Sequence, residues 1–317
     1  MTIWQAIQPT VVAFLGLPTW ETFKPFIVTG LALGGVYALS GVGMVVLYRA
    51  TGVLNLAFGA IGAFGALLAW ELINNHAWPQ WPAYGVCVLF GGVITLAYGT
   101  AFGPPLAGRD PLVKATATLG LLLILLGAMS WIWSDKARSL ILPTSEHHFE
   151  VSGIAVTYTQ VLGLAFGIAF TVGTALFLRL TRMGTAMRAL ADDREITATL
   201  GVPVRRVEAA AWFGSGLMAG IAGLLLSNLI GLDAVSLTFL VISSLAAALI
   251  ARLRSLVVTF VAAMVVGLVN ALLTPIISLT EYRWMTPFVL ATIALLFLSR
   301  KRVITITGST GLAGGRS

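Results

Sequence analysis

The fold is decided by residues 30–66, which read GLALGGVYALSGVGMVVLYRATGVLNLAFGAIGAFGA. They belong to two apolar runs, at about 26–48 and 53–71, that are separated by a short connection containing Arg49. A helix needs about 20 apolar residues to cross the hydrocarbon core of a bilayer. Small residues let such helices approach closely in lipid. The stretch therefore predicts two membrane helices that pack through glycines: Gly30, Gly34, Gly35, Gly41 and Gly43 in the first run, and Gly52, Gly59, Gly62 and Gly65 in the second.

The beginning of the second run contains a polar amide, Asn55, between Gly52 and Gly59. Glycine weakens a helix, and irregular backbone at membrane depth is tolerated where it lines a cavity. The pattern predicts a broken or re-entrant second helix whose backbone faces an aqueous path. An alternative, in which Asn55 hydrogen-bonds a neighbouring helix, stays open.

The composition of the whole chain is that of a membrane protein. Of its 317 residues, 58% are hydrophobic and 10% are charged, whereas soluble proteins have about 25% charged residues. We expect an all-α polytopic integral membrane protein of about eight or nine transmembrane helices, because two of the apolar runs are short. The candidate spans are 26–48, 53–71, 84–104, 115–133, 157–178, 207–230, 236–251, 256–276 and 285–299, in a domain (26–302) preceded by an interfacial segment (1–25) and followed by a disordered tail (303–317).

The basic residues divide unevenly between the two sides of this arrangement. All but four of the 19 lysines and arginines fall in connections on one side, and the exceptions are Lys24, Lys136, Arg138 and Arg283. The positive-inside rule assigns the basic side to the cytoplasm, which predicts a cytoplasmic C-terminus. A re-entrant second helix would remove one crossing and change the side of the N-terminus.

The longest basic connection is RLTRMGTAMRALADDREITATLGVPVRR, residues 179–206. Helix connections usually need about 2–8 residues, so this one is longer than a simple turn requires. Its pattern predicts two short helices: Gly184 and Thr185 open the first, Asp192 caps the second, and Gly201 with Pro203 ends it.

We interpret the basic connection as a docking element for a cytoplasmic partner, against which the apolar side chains of Met187, Leu190 and Ile196 would be buried. Arg188 and Arg194 would pair with acids on the partner's surface. The alternative, a solvated loop held inside by its charge, stays open.

Several chemistries are missing from the sequence. No G-x-x-x-x-G-K-[ST] phosphate-binding loop occurs, so ATP would be hydrolysed by a partner subunit. Ser215 is interpreted as a packing residue, because a serine nucleophile needs a base and the histidines lie in predicted outer connections. We interpret His147 and His148 as solvated, and expect no metal site. The acidic residues lie near span ends, so an ion-coupled secondary transporter is only an alternative.

Three motifs in this order resemble the permease subunits of branched-chain amino acid ABC importers of the LivH type, which are related to the ribose permease. The first is residues 30–66, and the second is TATLGL at 116–121. The third and most specific is residues 181–207, which are similar to the family's cytoplasmic coupling loop. Together the motifs and the spans between them cover most of the chain.

The resemblance implies the permease subunit of an ATP-driven importer for branched-chain or other hydrophobic amino acids, in the inner or plasma membrane of a prokaryote. The chain itself would bind no cofactor and would not be an enzyme. Its expected partners are a second homologous permease, two ATPase subunits and an extracytoplasmic binding protein. The implied pathway residues are Asn55, Phe58, Gly59, Thr116 and Thr118, and the implied ATPase-coupling residues are Gly184, Met187, Arg188, Ala189, Leu190, Asp192, Ala198 and Gly201.

Two departures from the family pattern bear on the substrate. Phe58 stands where the family has histidine, and Leu56 where it has phenylalanine. The segment ALIARLRS, residues 248–255, stands where the family has a glycine-rich turn, so that Arg252 and Arg254 replace glycines. A permease for urea or short amides is therefore kept as an alternative.

Overall fold

The computed structural model of this chain describes residues 20–134, 136, 138–151, 153–276 and 281–306. Most of the predicted interfacial segment and of the predicted tail lies outside these residues. Residues 20–25 belong to the first helix rather than to a separate segment, and residues 303–306 continue the last helix.

The described chain is mostly helical, and nine apolar segments recur near the predicted positions. Five helices are long and apolar enough to cross a membrane, namely α1 (Trp20–Thr51), α3 (Gln80–Leu106), α4 (Pro111–Trp133), α6 (Tyr158–Leu180) and α9 (Val204–Ile230). The shorter apolar segments are α2 (Phe58–Asn74), α10 (Ala234–Phe239) with α11 (Val241–Ile250), α12 (Leu256–Leu272) and the first part of α13 (Thr286–Ile306). The remaining elements are α5 (Pro143–Glu146), α7 (Arg182–Asp192), α8 (Arg194–Thr199) and a 3-10 turn at Glu281–Met285. The prediction of an all-α polytopic membrane protein is confirmed.

The predicted outer connection from α4 to α6 contains a small hairpin. Strands β1 (His148–Val151) and β2 (Ile154–Thr157) pair antiparallel, with Val151 opposite Ile154. Gly153 takes a φ of +78° in the turn between them, a conformation that glycine adopts without strain. Thr157 then caps α6 by accepting a hydrogen bond from the backbone N–H of Gln160. The hairpin therefore leads the chain directly into the next long helix.

Helix α1 is the centre of the structure, and its contacts run through glycine. Gly30 and residues 32–45 are all buried, and α1 packs against α6, α9 and α12. A methyl group placed on Gly35 would lie 2.6 Å from Cα of Leu164 in α6, which is closer than two carbon atoms can come. On the α12 side, a methyl group placed on Gly267 would lie 2.5 Å from Cα of Gly34. The predicted close packing of the first span is confirmed.

A second set of close contacts joins α9 to α2 and α3. A methyl group on Gly62 would lie 2.6 Å from the carbonyl oxygen of Ala219. The backbone of Gly91 in α3 meets Gly216 in α9, where Thr95 also donates a hydrogen bond to the carbonyl of Trp212. Because backbones touch at these points, any side chain there forces two helices apart.

We predict that Gly216→Ala destabilises the protein and that Gly214→Ala on the same helix does not. A Cβ at position 216 would clash with the Thr95 hydroxyl and the Gly91 carbonyl, whereas one at position 214 meets nothing within 4 Å. Overpacking of this kind costs about 1–3 kcal/mol, and replacing an unhindered helical glycine gains up to about 1 kcal/mol. Equilibrium unfolding in mixed micelles of SDS and a mild detergent measures both. Equal stability of the two variants would contradict the packing argument.

Candidate functional site

The predicted break before the second apolar helix is present. Helix α1 ends at Thr51, Gly52 has a φ of +68°, and α2 begins only at Phe58. The intervening residues are held by Thr118 of α4. Its hydroxyl donates to the carbonyl of Leu54 at 2.8 Å and accepts from the N–H of Leu56 at 3.1 Å. The backbone on both sides of Asn55 is therefore fixed by one side chain.

Asn55 lies between these two hydrogen bonds and is fully buried. Its Oδ1 accepts from the N–H of Ala57 at 3.0 Å, a local bond that satisfies one free donor at the start of α2. Its Nδ2 has no hydrogen-bond partner among the described residues. The structure thus shows a local role for the amide rather than a bond to a neighbouring helix. A buried amide N–H without an acceptor costs about 1–3 kcal/mol. Any group that brought an acceptor to Nδ2 of Asn55 would recover that free energy.

Phe58 and Gly59 follow directly and close the space beside the break. The Phe58 ring packs against Gly43 of α1, and Gly59 meets the backbone of Thr238 at the end of α10. The cavity that they line with Ser40 and Ser244 has a volume of only about 10 Å³. One water molecule needs about 10–15 Å³ on this measure, so no amino acid passes here in this conformation.

Thr116, the fifth predicted pathway residue, lies apart from the other four. Its side chain is exposed, and its hydroxyl donates to the carbonyl of Leu112 in its own helix at 2.9 Å. Thr118 lies on the buried face of α4, because residues two apart on a helix point in different directions. The structure brings Asn55, Phe58, Gly59 and Thr118 together and leaves Thr116 outside the group.

The basic connection forms the two predicted short helices, α7 and α8, with different caps. Thr181 caps α7 by accepting from the N–H of Gly184 at 2.9 Å, and Asp193 caps α8 by accepting from the N–H of Ile196 at 2.9 Å. The cap that the sequence predicts for the second helix, Asp192, is one residue too early. Gly201 follows α8 with a φ of +81°, as expected for a glycine at a helix C-terminus.

The expectation that Met187 and Leu190 are buried against a partner is wrong. Both side chains are buried within the chain, in a cluster that includes Val45 of α1, Leu178 of α6 and Trp212 of α9. The apolar face of α7 is therefore the anchor of the segment. Gly184 supports this packing, because its backbone touches Leu178 where no side chain would fit.

The exposed side of the segment carries other residues. Ile196 is 60% exposed and Leu200 is 77% exposed, and Asp192, Ala198 and Gly201 are also exposed. Arg188 and Ala189 are half-buried. Arg194 was expected to pair with a partner's acid, but its Nη2 and Nε lie 2.9 and 3.0 Å from Oε1 of Glu208 in α9. That ion pair ties α8 to the helix that follows it.

An amphipathic cavity of about 390 Å³, which the sequence did not predict, lies at the pole opposite the basic connection. It lies between α1, α9, α10, α12 and the 3-10 turn. Tyr37 and Asn270, polar residues inside apolar runs, were the available signal for it. The polar lining is Thr29, Tyr37, Ser236, Asn270, Thr274 and Arg283, and the apolar lining includes Phe26, Leu33, Leu229 and Leu240.

We predict that Thr118→Val destabilises the protein by about 1–3 kcal/mol, because it leaves the Leu56 N–H and the Leu54 carbonyl without this partner. Thr116→Val is the matched control, since it removes a hydroxyl that bonds only within its own helix, and its effect should stay within about 0.5 kcal/mol. Unfolding in SDS mixed micelles measures both variants. Similar losses in the two would show that Thr118 does not hold the break.

Comparison with known proteins now adds to this geometry. The family described as the permease component of branched-chain amino acid transport systems matches residues 26–298. The high-affinity branched-chain amino acid transport system permease protein BraD of Pseudomonas aeruginosa is 26% identical, over 68% of this chain and 74% of its own length. The corresponding LivH of Escherichia coli K12 is 24% identical, over 64% and 70%. The probable LivH of Methanocaldococcus jannaschii is 28% identical, over 59% and 61%.

The family match runs from the first turns of α1 into α13 and includes both the helix break and the basic connection. The chain therefore belongs to the family of branched-chain amino acid transport permease components, as an ABC transporter permease of the LivH type.

Proposed function

We propose that this chain is the membrane-spanning subunit of an ATP-driven importer for branched-chain or other hydrophobic amino acids. The observation that carries this proposal is the amphipathic cavity, whose volume of about 390 Å³ lies in the range of small-molecule sites. It opens beside α1 at the pole that the charge pattern assigns to the outside. A substrate delivered there would reach the closed region at Phe58 next.

The lining of the amphipathic cavity suits a zwitterion with an aliphatic side chain. Arg283 and the Asn270 amide supply donors for a carboxylate, and the hydroxyls of Ser236 and Thr274 can accept from an ammonium group. Leu33 and Leu240 give an apolar wall on which an aliphatic side chain buries its surface. Urea has no apolar part that would use this wall. The cavity therefore supports hydrophobic amino acids above the amide alternative.

The energy for import would come from partner subunits. The sequence has no Walker A loop, and the described lining of the amphipathic cavity contains no Asp or Glu for coupling to an ion. The relatives are described as components of transport systems, which supports a complex of this chain with a second homologous permease, two ATPases and an extracytoplasmic binding protein. ATP would bind to the ATPases and not to this chain.

The basic connection would contact an ATPase through the exposed side of α8. Ile196 and Leu200 offer apolar surface there, and Ala198 between them lets another backbone approach. Met187 and Leu190 would transmit motion rather than bind, because they are packed among α1, α6 and α9. The surface that binds and the surface that anchors are thus on different residues of one segment.

We predict that Asn270→Leu raises the KM of isoleucine uptake about tenfold in proteoliposomes containing the complete complex. The loss of one hydrogen bond to a charged group costs about 1.5–3 kcal/mol, and 1.4 kcal/mol is a factor of ten. Asn74→Leu is the control, because it removes an exposed amide at the end of α2, outside the cavity. Uptake should require ATP and persist when ion gradients are collapsed. An unchanged KM in Asn270→Leu would remove the cavity from the substrate route.

We predict that Ile196→Asp weakens binding of the ATPase subunits at least tenfold without destabilising this chain. An apolar anchor at the centre of an interface contributes more than about 2 kcal/mol, whereas an exposed side chain contributes little to folding. Leu190→Ala should do the opposite: it opens a cavity in the core and costs about 2–5 kcal/mol of stability. Trp78→Asp is the control for Ile196→Asp, because it introduces the same charge at an exposed residue of the other pole.

Co-purification of the ATPases and SDS unfolding separate the two effects. Full assembly of the Ile196→Asp variant would contradict the docking role of α8. It would favour the alternative, in which the basic connection is a solvated loop held inside by its charge.

A further inference from the structure

A large basic pocket lies at the pole of the basic connection, separate from the amphipathic cavity and next to the beginning of the helix break at Gly52. Its volume is about 780 Å³, and it is bounded by the end of α1, the beginning of α4, the α7–α8 corner and the turn between α11 and α12. Asp192 is the one carboxylate in its described lining. The cations in that lining are Arg49, Lys114, Arg194, Arg252 and Arg254.

Lys114 makes this pocket more than a charged surface. The residue is 8% exposed, and its Nζ points past Gly52 at the mouth of the helix break. Within the described parts of the chain its ammonium group has no hydrogen bond or ion pair. Its side chain is buried among protein atoms, whereas its ammonium group opens onto the pocket without a partner among the described residues. A lysine held in this way places a fixed positive charge at the wall of the pocket, and charged groups inside proteins are usually paired or satisfied by a ligand. We therefore expect an anion beside it.

The turn between α11 and α12 places Arg252 in the lining of the pocket, and the backbone of this turn is strained. The N–H of Leu253 donates to the carbonyl of Ala248, and the N–H of Arg252 donates to that of Leu249, both at 2.8 Å. This arrangement is a Schellman motif, whose left-handed position is usually glycine. Here Arg252 has a φ of +53° and Leu253 a φ of +55°. Such strain persists at binding and switch sites, where the side chain is needed.

The turn is also held against α1. Arg49 donates through Nη1 to the carbonyl of Arg254 at 3.3 Å, so the two walls of the pocket are joined. Arg194 pairs with Glu208, and the described lining also holds four other basic residues and one carboxylate, Asp192. The pocket is therefore preorganised for an anion with more than one negative charge.

We propose that this pocket binds a phosphate group. Guanidinium groups match phosphate oxygens in pairs of hydrogen bonds, and a lysine ammonium adds a point charge. A zwitterionic amino acid fits poorly, since it brings its own ammonium group into a cationic site. The phosphate belongs either to the headgroup of an anionic phospholipid or to a soluble phosphate compound. Basic pockets at the ends of membrane helices bind such headgroups in other proteins.

The test measures the thermal unfolding midpoint of the purified chain, which needs neither substrate nor transport. One arm adds inorganic pyrophosphate against potassium chloride at equal ionic strength, in a neutral detergent. The other compares nanodiscs of phosphatidylglycerol with nanodiscs of phosphatidylcholine. A ligand that binds only the folded state stabilises it by RT ln(1 + [L]/Kd), so the midpoint rises further as the ligand concentration exceeds Kd. A rise with pyrophosphate alone identifies a soluble phosphate, and a rise with phosphatidylglycerol alone identifies a lipid headgroup.

Two variants tie the effect to the pocket. Lys114→Met keeps the length of the side chain and removes its charge, and should weaken apparent binding about tenfold, as for one lost charge-assisted hydrogen bond. Arg252→Gly should weaken it similarly; because glycine also relieves the positive φ, the rise is measured from each variant's own midpoint without ligand. Arg206→Gln, an exposed arginine outside the pocket, should respond as the parent chain does. No midpoint rise in either arm, or equal rises in all four proteins, would overturn the proposal.

Discussion

Close contact between glycine backbones is the constraint on which the rest of this structure depends. In lipid, apolar side chains gain nothing by leaving acyl chains for another helix, so association rests on close packing and hydrogen bonds. Helix α1 meets α6 at Gly35 and α12 at Gly34, and α9 meets α2 at Gly62. These contacts fix the helices at distances that any larger residue would increase. The buried cluster around α1 follows from that spacing.

Tight packing also makes the helix break possible. Interrupted backbone inside a membrane protein must find partners within the protein, since lipid offers none. Thr118 supplies them for Leu54 and Leu56, and Asn55 supplies one for Ala57. What remains is the Asn55 amide donor, buried beside the closed region at Phe58. The least satisfied polar group of the break thus lies close to the small cavity beside Phe58.

The apolar spans, the break and the two short helices of the basic connection were predictable, because length, glycine spacing and capping residues are local signals. The surface against which each apolar helix face is buried was not predictable. An apolar face such as Met187 with Leu190 shows the same periodicity whether it packs on its own chain or on a partner. The pairing of Arg194 with Glu208 and the amphipathic cavity depend on which segments meet in the fold. Tyr37 and Asn270 are visible in the sequence as polar residues inside apolar runs, but that local signal does not show that they line one cavity.

The anchored face of α7 suggests how motion at the basic pole would reach the break. Met187 and Leu190 join the segment to α1 and α6, while the Arg194–Glu208 pair joins it to α9. A displacement of α8 would therefore act on α9 rather than be absorbed in a loose loop. Helix α9 meets α2 where Gly223 touches Gly62, and both glycines line the small cavity beside Phe58. Because backbones at that contact cannot compress, a shift of α9 must either move α2 with it or open the gap between them.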